Sequence, residues 1–184
     1  MKFNITITEG LAEIKTIGKR IETKNKQLLS YLTRDARLRD PLEKEEGGSV
    51  EFIKRERQAI SDLGKRMVNL RQAIQQANMV TPLGLNGTEM TVYEWLIWRR
   101  EVAPLEQNRL GDIWTALTTA RTNAQRIGYN VVAAAAAVQG GSNEPKEIIV
   151  NVNEKEIAQE REALEKTLGD LDGRLSLLNA TTMI

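Results

Sequence analysis

The chain has 184 residues and a mass of 20.7 kDa, enough for one domain with a real core or at most two small ones. Lys and Arg total 26 against 25 Asp and Glu, a net charge of +1, so bulk electrostatics give no strong signal for nucleic acid or an acidic surface. Cys and His are both absent, which excludes disulfides, thiolate nucleophiles, Cys/His zinc sites and imidazole acid–base catalysis.

Only eight residues are aromatic while 28% are charged, a balance suited to long solvated helices rather than a thick core. The amino-terminal stretch MKFNITIT lacks the continuous apolar segment of a signal peptide, and the apolar run 131–138 falls far short of the roughly 20 residues of a membrane span. The expectation is an intracellular, cytoplasmic protein without a membrane partner.

Phe3, Ile5 and Ile7 alternate with Asn4, Thr6 and Thr8, the period-2 pattern of a short strand over residues 1–8, with Thr8 placed to cap the following helix. From residue 9 to 39 the sequence predicts a first helix with the seam Leu11, Ile14, Gly18, Ile21, Asn25, Leu28 and Leu32, spaced by threes and fours as in a coiled coil. Pro41 and the charged, glycine-ended segment 43–48 interrupt it.

Ser49 is placed to cap a second helix over 49–78, whose seam reads Ile53, Ile60, Leu63, Met67, Leu70, Ile74 and Ala77, broken only by Glu56. Similar lengths and a short linker predict an antiparallel hairpin. Pro82 stops the second helix, and Leu83-Gly84-Leu85-Asn86-Gly87 is a turn-rich connector in which Asn-Gly is the strongest turn signal of the chain.

Thr91-x-x-Glu94 is a capping box, with Met90 and Trp95 spaced as a hydrophobic staple, and it opens a helix over 91–128. All three tryptophans lie on this helix; Trp95 and Leu96 are expected to face the hairpin, Trp98 and Trp114 to serve a subunit contact. Pro104 should kink or restart it. Residues 129–146 form an Ala/Gly-rich arm, either a close-packed helix or a mobile segment. A strand follows over 147–152, free to pair with the first strand as a small β element joining the chain ends. The last helix, 154–179, has the cleanest seam: Ile157, Arg161, Leu164, Leu168, Leu171, Leu175 and Leu178.

The fold class predicted is therefore mainly α: a single domain built as an antiparallel coiled-coil hairpin or bundle of about four helices, with a small two-stranded β element near the chain ends.

Two helix endings repeat. Leu70, Ile74, Asn78 and Thr81 match Leu171, Leu175, Asn179 and Thr182 at identical spacing. One reading is capping, since Asn tolerates the left-handed conformation at a helix end; the other is a polar pocket lined by the two Asn/Thr pairs. The Leu11-Ala12-Glu13 and Lys19-Arg20-Ile21-Glu22 stretches, residues 74–81, Thr91-x-x-Glu94-x-Leu96-x-x-Arg99 and the closing segment 171–182 together resemble a family of uncharacterised helical proteins termed septicolysin-like. The resemblance implies a helical-hairpin architecture and oligomers, and supplies no activity.

No phosphate-binding glycine loop is present, and the glutamates of the last helix fall mostly outside its seam. Arg34, Arg37 and Arg39 meet Lys54, Arg55 and Arg57 at the hairpin tip, either as an anion site or as a mixed surface neutralised by nearby carboxylates. The function expected is a non-catalytic, homo-oligomeric assembly or scaffold protein of phage or bacterial origin, with no cofactor, catalytic residue or metal. The alternative is a protein that binds a small anionic or nucleotide-like ligand between subunits, using Asn78, Thr81, Glu94, Arg99, Arg100, Asn179 and Thr182.

Overall fold

A computed structural model describes residues 3–44, 47–133 and 147–184. The fold is mainly helical. In chain order it comprises α1 (Ile7–Ser30), α2 (Ser49–Val80), β1 (Pro82–Leu85), β2 (Thr88–Thr91), α3 (Val92–Ile97), a π-helical turn (Trp98–Val102), α4 (Ala103–Ile127), β3 (Asn130–Ala133), β4 (Glu147–Val150) and α5 (Glu154–Thr181). With α3, the π turn and α4 taken as one interrupted run, there are four long helices beside small two-stranded sheets. The chain forms two compact units: residues 1–81 with 175–184, and residues 82–174.

In the first unit α1 and α2 pair antiparallel, as ties between successively distant residues establish. Glu13 meets Arg66 at 2.5 Å, Lys24 meets Glu56 at 2.9 Å, and Tyr31 packs edge-on against Phe52 with ring centroids 5.2 Å apart. The core gathers Ile7, Ile14, Ile17, Leu70 and Ile74, with Phe3, Ile21, Leu63, Met67 and Ile184 packed around them. Farther along the hairpin the seam residues Ile21, Leu28, Ile53, Ile60 and Leu63 are only half-buried, which is the expected state of a narrow two-helix seam with polar flanks. Glu56, the residue that interrupts the apolar pattern, is buried there, and Lys24 holds both of its oxygens.

The expected first strand is not formed over residues 1–8, of which 3–8 are described. Thr6 accepts from the Glu9 amide and the Glu9 carboxylate takes the Thr6 N–H at 2.7 Å, a capping box that starts α1 at Ile7 rather than after Thr8. The remaining extended residues pair with the last residues of the chain: the Phe3 and Asn4 amides donate to the Ile184 carbonyl, the Ile184 amide donates to Ile5, and Thr6 bridges Met183 antiparallel. The two end segments do meet, but through residues 182–184 and not through 147–152. Gly10 lies under this closure: a Cβ there would stand 2.9 Å from Ile184 Cδ1, the movable end of that side chain. α1 ends at Ser30, nine residues before the expected limit at Arg39; beyond Leu28 its residues lose a covered seam and enter turns.

In the second unit the Asn86-Gly87 signal is realised as a two-residue hairpin. Both residues have positive φ, 51° and 79°, and Leu85 pairs with Thr88 across them. Leu83 and Leu85 are buried, and the Trp95 indole N–H donates to the Leu83 carbonyl at 2.8 Å. α4 and the first part of α5 pair antiparallel around Ala103, Leu110, Ile157 and Leu164, with Trp98, Ile113 and Leu168 beside them. The buried positions of α4, namely Ala103, Leu110, Leu117 and Ala124, recur every seven residues, so this seam is a heptad stripe as well. Arg109 with Glu160 and Arg121 with Glu154 flank it.

β4 pairs in parallel with β3, not with the amino-terminal segment: Val131 stands opposite Ile148 and Val132 opposite Ile149. The start of the alanine-rich arm is thus a strand, because Val131 and Val132 find partners in the β-branched run 148–150. The rest of the arm, 134–146, lies outside the described residues. Pro104 lies where the helical run restarts as α4. Having no N–H for the Arg100 carbonyl and a ring that presses on it, the proline sits just after a widened turn in which Ala103 donates to Trp98. Among the described residues, no helix is long and apolar enough to cross a membrane.

Candidate functional site

The start of α3 is built as its sequence dictates. The Thr91 hydroxyl accepts from the Glu94 amide at 3.3 Å, and the Glu94 carboxylate accepts the Thr91 amide at 2.7 Å and its hydroxyl at 2.8 Å. The amide bond, then the hydroxyl bond, holds the Glu94 carboxyl below its ordinary pKa of 4.5. Glu94 is therefore committed to the helix end. The π turn that follows carries Arg99 and Arg100; Arg99 reaches α5 and pairs with Asp172 at 2.9 Å, while Arg100 pairs with its neighbour Glu101 at 2.6 Å. All four side chains are well exposed, so these ties are weak, on the order of 0.2–1 kcal/mol each.

The repeated endings match in three dimensions. Leu70 and Leu171 are both fully buried, Ile74 and Leu175 both nearly so, and the Asn and Thr positions are half-buried in each. The Thr81 amide donates to Ala77 and the Thr182 amide to Leu178, in each case four residues back, and each threonine is the first residue beyond its helix. The caps are thus Thr81, extended at φ −81°, and the equivalent Thr182. Asn78 and Asn179 are not left-handed caps: both lie inside the helical runs, two or more residues before their ends. The Asn78 side-chain oxygen is buried without a hydrogen-bond partner, the single such group among the described residues.

The seven expected ligand residues fall into the two units: Asn78, Thr81, Asn179 and Thr182 in the first, Glu94, Arg99 and Arg100 in the second. Among the described residues, no hydrogen bond or ion pair joins any of the seven to another; each bond runs to a local capping partner, to Asp172 or to Glu101. Trp95 is buried, and Trp98 packs against it edge-on, centroids 5.4 Å apart, inside the second unit. Trp114 stays partly exposed, its ring covered by the Arg161 guanidinium at 5.4 Å. A shallow cavity of about 220 Å³ lies between α4 and α5, lined by Gln107, Leu110, Gly111, Arg161, Leu164 and Glu165.

The loop end of the α1/α2 hairpin is organised by a group the sequence reading did not single out. Asp40 accepts from the Ser49 amide at 2.8 Å, the Ser49 hydroxyl at 2.6 Å and the Leu42 amide at 3.0 Å. A carboxylate nine residues upstream thereby serves the first amide of α2, a favourable place for negative charge, and Ser49 is buried beneath it as a donor, not the cap expected of it. The Ser49 hydroxyl, then its amide, depress the Asp40 pKa below its ordinary 3.8. Four of the six basic residues expected at this end have local partners: Arg34 donates to the Leu38 carbonyl, Arg37 grips Asp35 at 2.7 Å, Lys54 lies 3.8 Å from Glu51, and Arg55 lies over Phe52. Pairing with a carboxylate, as the mixed-surface reading expects, is seen at Arg37 and Lys54.

The chain matches no protein-family model, no curated protein and no solved structure. Among the described residues, no three acidic side chains gather as they would around a metal ion.

Proposed function

We propose that the protein is a non-catalytic helical assembly or scaffold component that works as a homo-oligomer. The observation that carries this reading is a contrast between polar and apolar groups. Of the polar side chains expected to bind a ligand, Thr81, Glu94, Arg99 and Arg100 are engaged in caps and surface pairs, whereas eleven large apolar side chains among the described residues are more than half exposed. Two narrow coiled-coil hairpins are efficient spacers, because each buries one seam and presents long polar flanks. Surplus apolar surface on such spacers is most simply covered by association. Light scattering at micromolar concentration tests the reading: it expects a mass that is a multiple of 20.7 kDa, and a strict monomer contradicts it.

A further inference from the structure

We propose that the middle of α1 carries a binding site for a dianionic phosphate group, free or as a monoester. The inference goes beyond the scaffold reading and does not depend on it. An open groove of about 520 Å³ is lined by Thr16, Lys19, Arg20, Thr23, Lys24 and Gln27, all on α1. Steps of three and four residues place them on one face of the helix, along about 16 Å of its axis. Each of the six is polar or cationic, and none is a carboxylate.

The charge is local to this stretch. Residues 15–27 hold five Lys or Arg and one carboxylate, Glu22, a net +4 where the whole chain carries +1. Lys26 takes Glu22 at 2.7 Å, and Lys24 is bonded to both oxygens of Glu56. Lys15, Lys19 and Arg20 have no hydrogen-bond, ion-pair or ring partner among the described residues, and the last two line the groove.

Helix stability does not account for this arrangement. On α2 the exposed lysines Lys54 and Lys65 stand three residues from the carboxylates Glu51 and Asp62. Lys15 and Lys19 are instead spaced i,i+4 with the same sign, which weakens a helix. They lie well before the last turn of α1, which ends at Ser30, so the helix dipole gives them nothing. An anion in the groove offsets their repulsion.

Chemistry selects the ligand. The Arg20 guanidinium offers a fork suited to two oxygens of one phosphate, and Lys19 adds a point charge. The Thr23 hydroxyl and the Gln27 side-chain amide are also without partners among the described residues and supply neutral donors, whereas Thr16 spends its hydroxyl proton on the Ala12 carbonyl. The two uncompensated charges match the roughly −1.5 to −2 of a phosphate monoester near neutral pH. A carboxylate would balance only one of them.

The test titrates inorganic phosphate and glycerol 3-phosphate with the full chain, read by phosphorus NMR at about pH 8 and fixed ionic strength, where both ligands are dianions. Saturable binding in the millimolar range or tighter is expected. Lys19→Gln/Arg20→Gln should weaken it at least tenfold, and Arg20→Lys, which keeps the charge but loses the fork, should fall between. Lys54→Gln/Lys65→Gln removes the same charge from α2 and should change binding less than twofold. Without ligand, the Lys19/Arg20 variant should keep its helicity and melt no lower than wild type, because a like-charge pair has gone. Equal affinity for the two ligands assigns the groove to the phosphate group itself, and tighter binding of the ester assigns it to an organic phosphate. No saturable binding of either, an equal loss in the α2 control, or a lower unliganded melting temperature for the Lys19/Arg20 variant overturns the site.

Discussion

The ammonium of Lys24 lies 3.1 and 2.9 Å from the two carboxylate oxygens of Glu56, 32 residues away, across a seam that is otherwise apolar. Glu56 is 8% exposed, so the pair fixes which turn of α1 faces which turn of α2 and discourages a one-heptad slip. Lys24→Ala strands the carboxylate and should cost about 1–3 kcal/mol in denaturant unfolding, the penalty of an unsatisfied buried group. Glu56→Leu, which completes the seam, should be neutral or stabilising. Equal destabilisation by both would show that the pair does not act in this way.

A contrast on α5 tests its packing. Leu171 is fully buried and Glu162 is exposed. Leu171→Asp should unfold the second unit, since a buried charge without a partner loses its solvation, whereas Glu162→Ala should stay within about 0.5 kcal/mol of wild type. Equal melting temperatures would contradict the packing of this helix.

The three-dimensional placement of Asn78 changes what substitution should do. A left-handed cap would accept glycine freely; a helical position does not, and Asn78→Gly should lose about 0.5–1 kcal/mol. Asn78→Ala removes the unpartnered side-chain oxygen and improves helix propensity, so thermal unfolding should shift upward. A fall in melting temperature for the alanine variant would mean that the amide has a partner.

Much of this was legible in the sequence because local chemistry and tertiary packing agree there. The Thr91/Glu94 capping box, the antiparallel hairpin and the seams of the second and last helices follow from residue spacing, whereas in α1 the buried positions are Ile7, Gly10, Ile14 and Ile17 and the expected seam residues Leu11 and Leu32 are exposed. The errors have physical causes. Thr6-x-x-Glu9 is itself a capping box, but the alternation of residues 3–8 obscures it; helix capping wins because Ile7 gains a place in the core. Asn86-Gly87 signals a tight turn, yet its flanking strands are too short to show a period. The β3/β4 pair and the Asp40–Ser49 tie join residues 17 and nine positions apart, beyond the reach of a capping or periodicity pattern.

Acid should weaken the fold in a defined window. The Glu9 and Glu94 carboxyls sit below their ordinary 4.5 because Thr6 and Thr91 donate to them, and Asp40 sits below 3.8 chiefly because of the Ser49 hydroxyl. A depressed folded-state value means that stability is fully present above the ordinary value and is lost as pH falls through the folded one. With no histidine in the chain, melting temperature should be level from about pH 6 to about pH 8 and decline once pH drops below about 4.5. Asp40→Asn should blunt the lower part of that decline. A transition centred near neutral pH would contradict this assignment.

The most direct measurement is absolute mass by multi-angle light scattering on the eluting full chain across micromolar concentrations. A stable multiple of 20.7 kDa, unaffected by millimolar nucleotides, is the result predicted for a self-associating scaffold. A mass of 20.7 kDa at every concentration would contradict it.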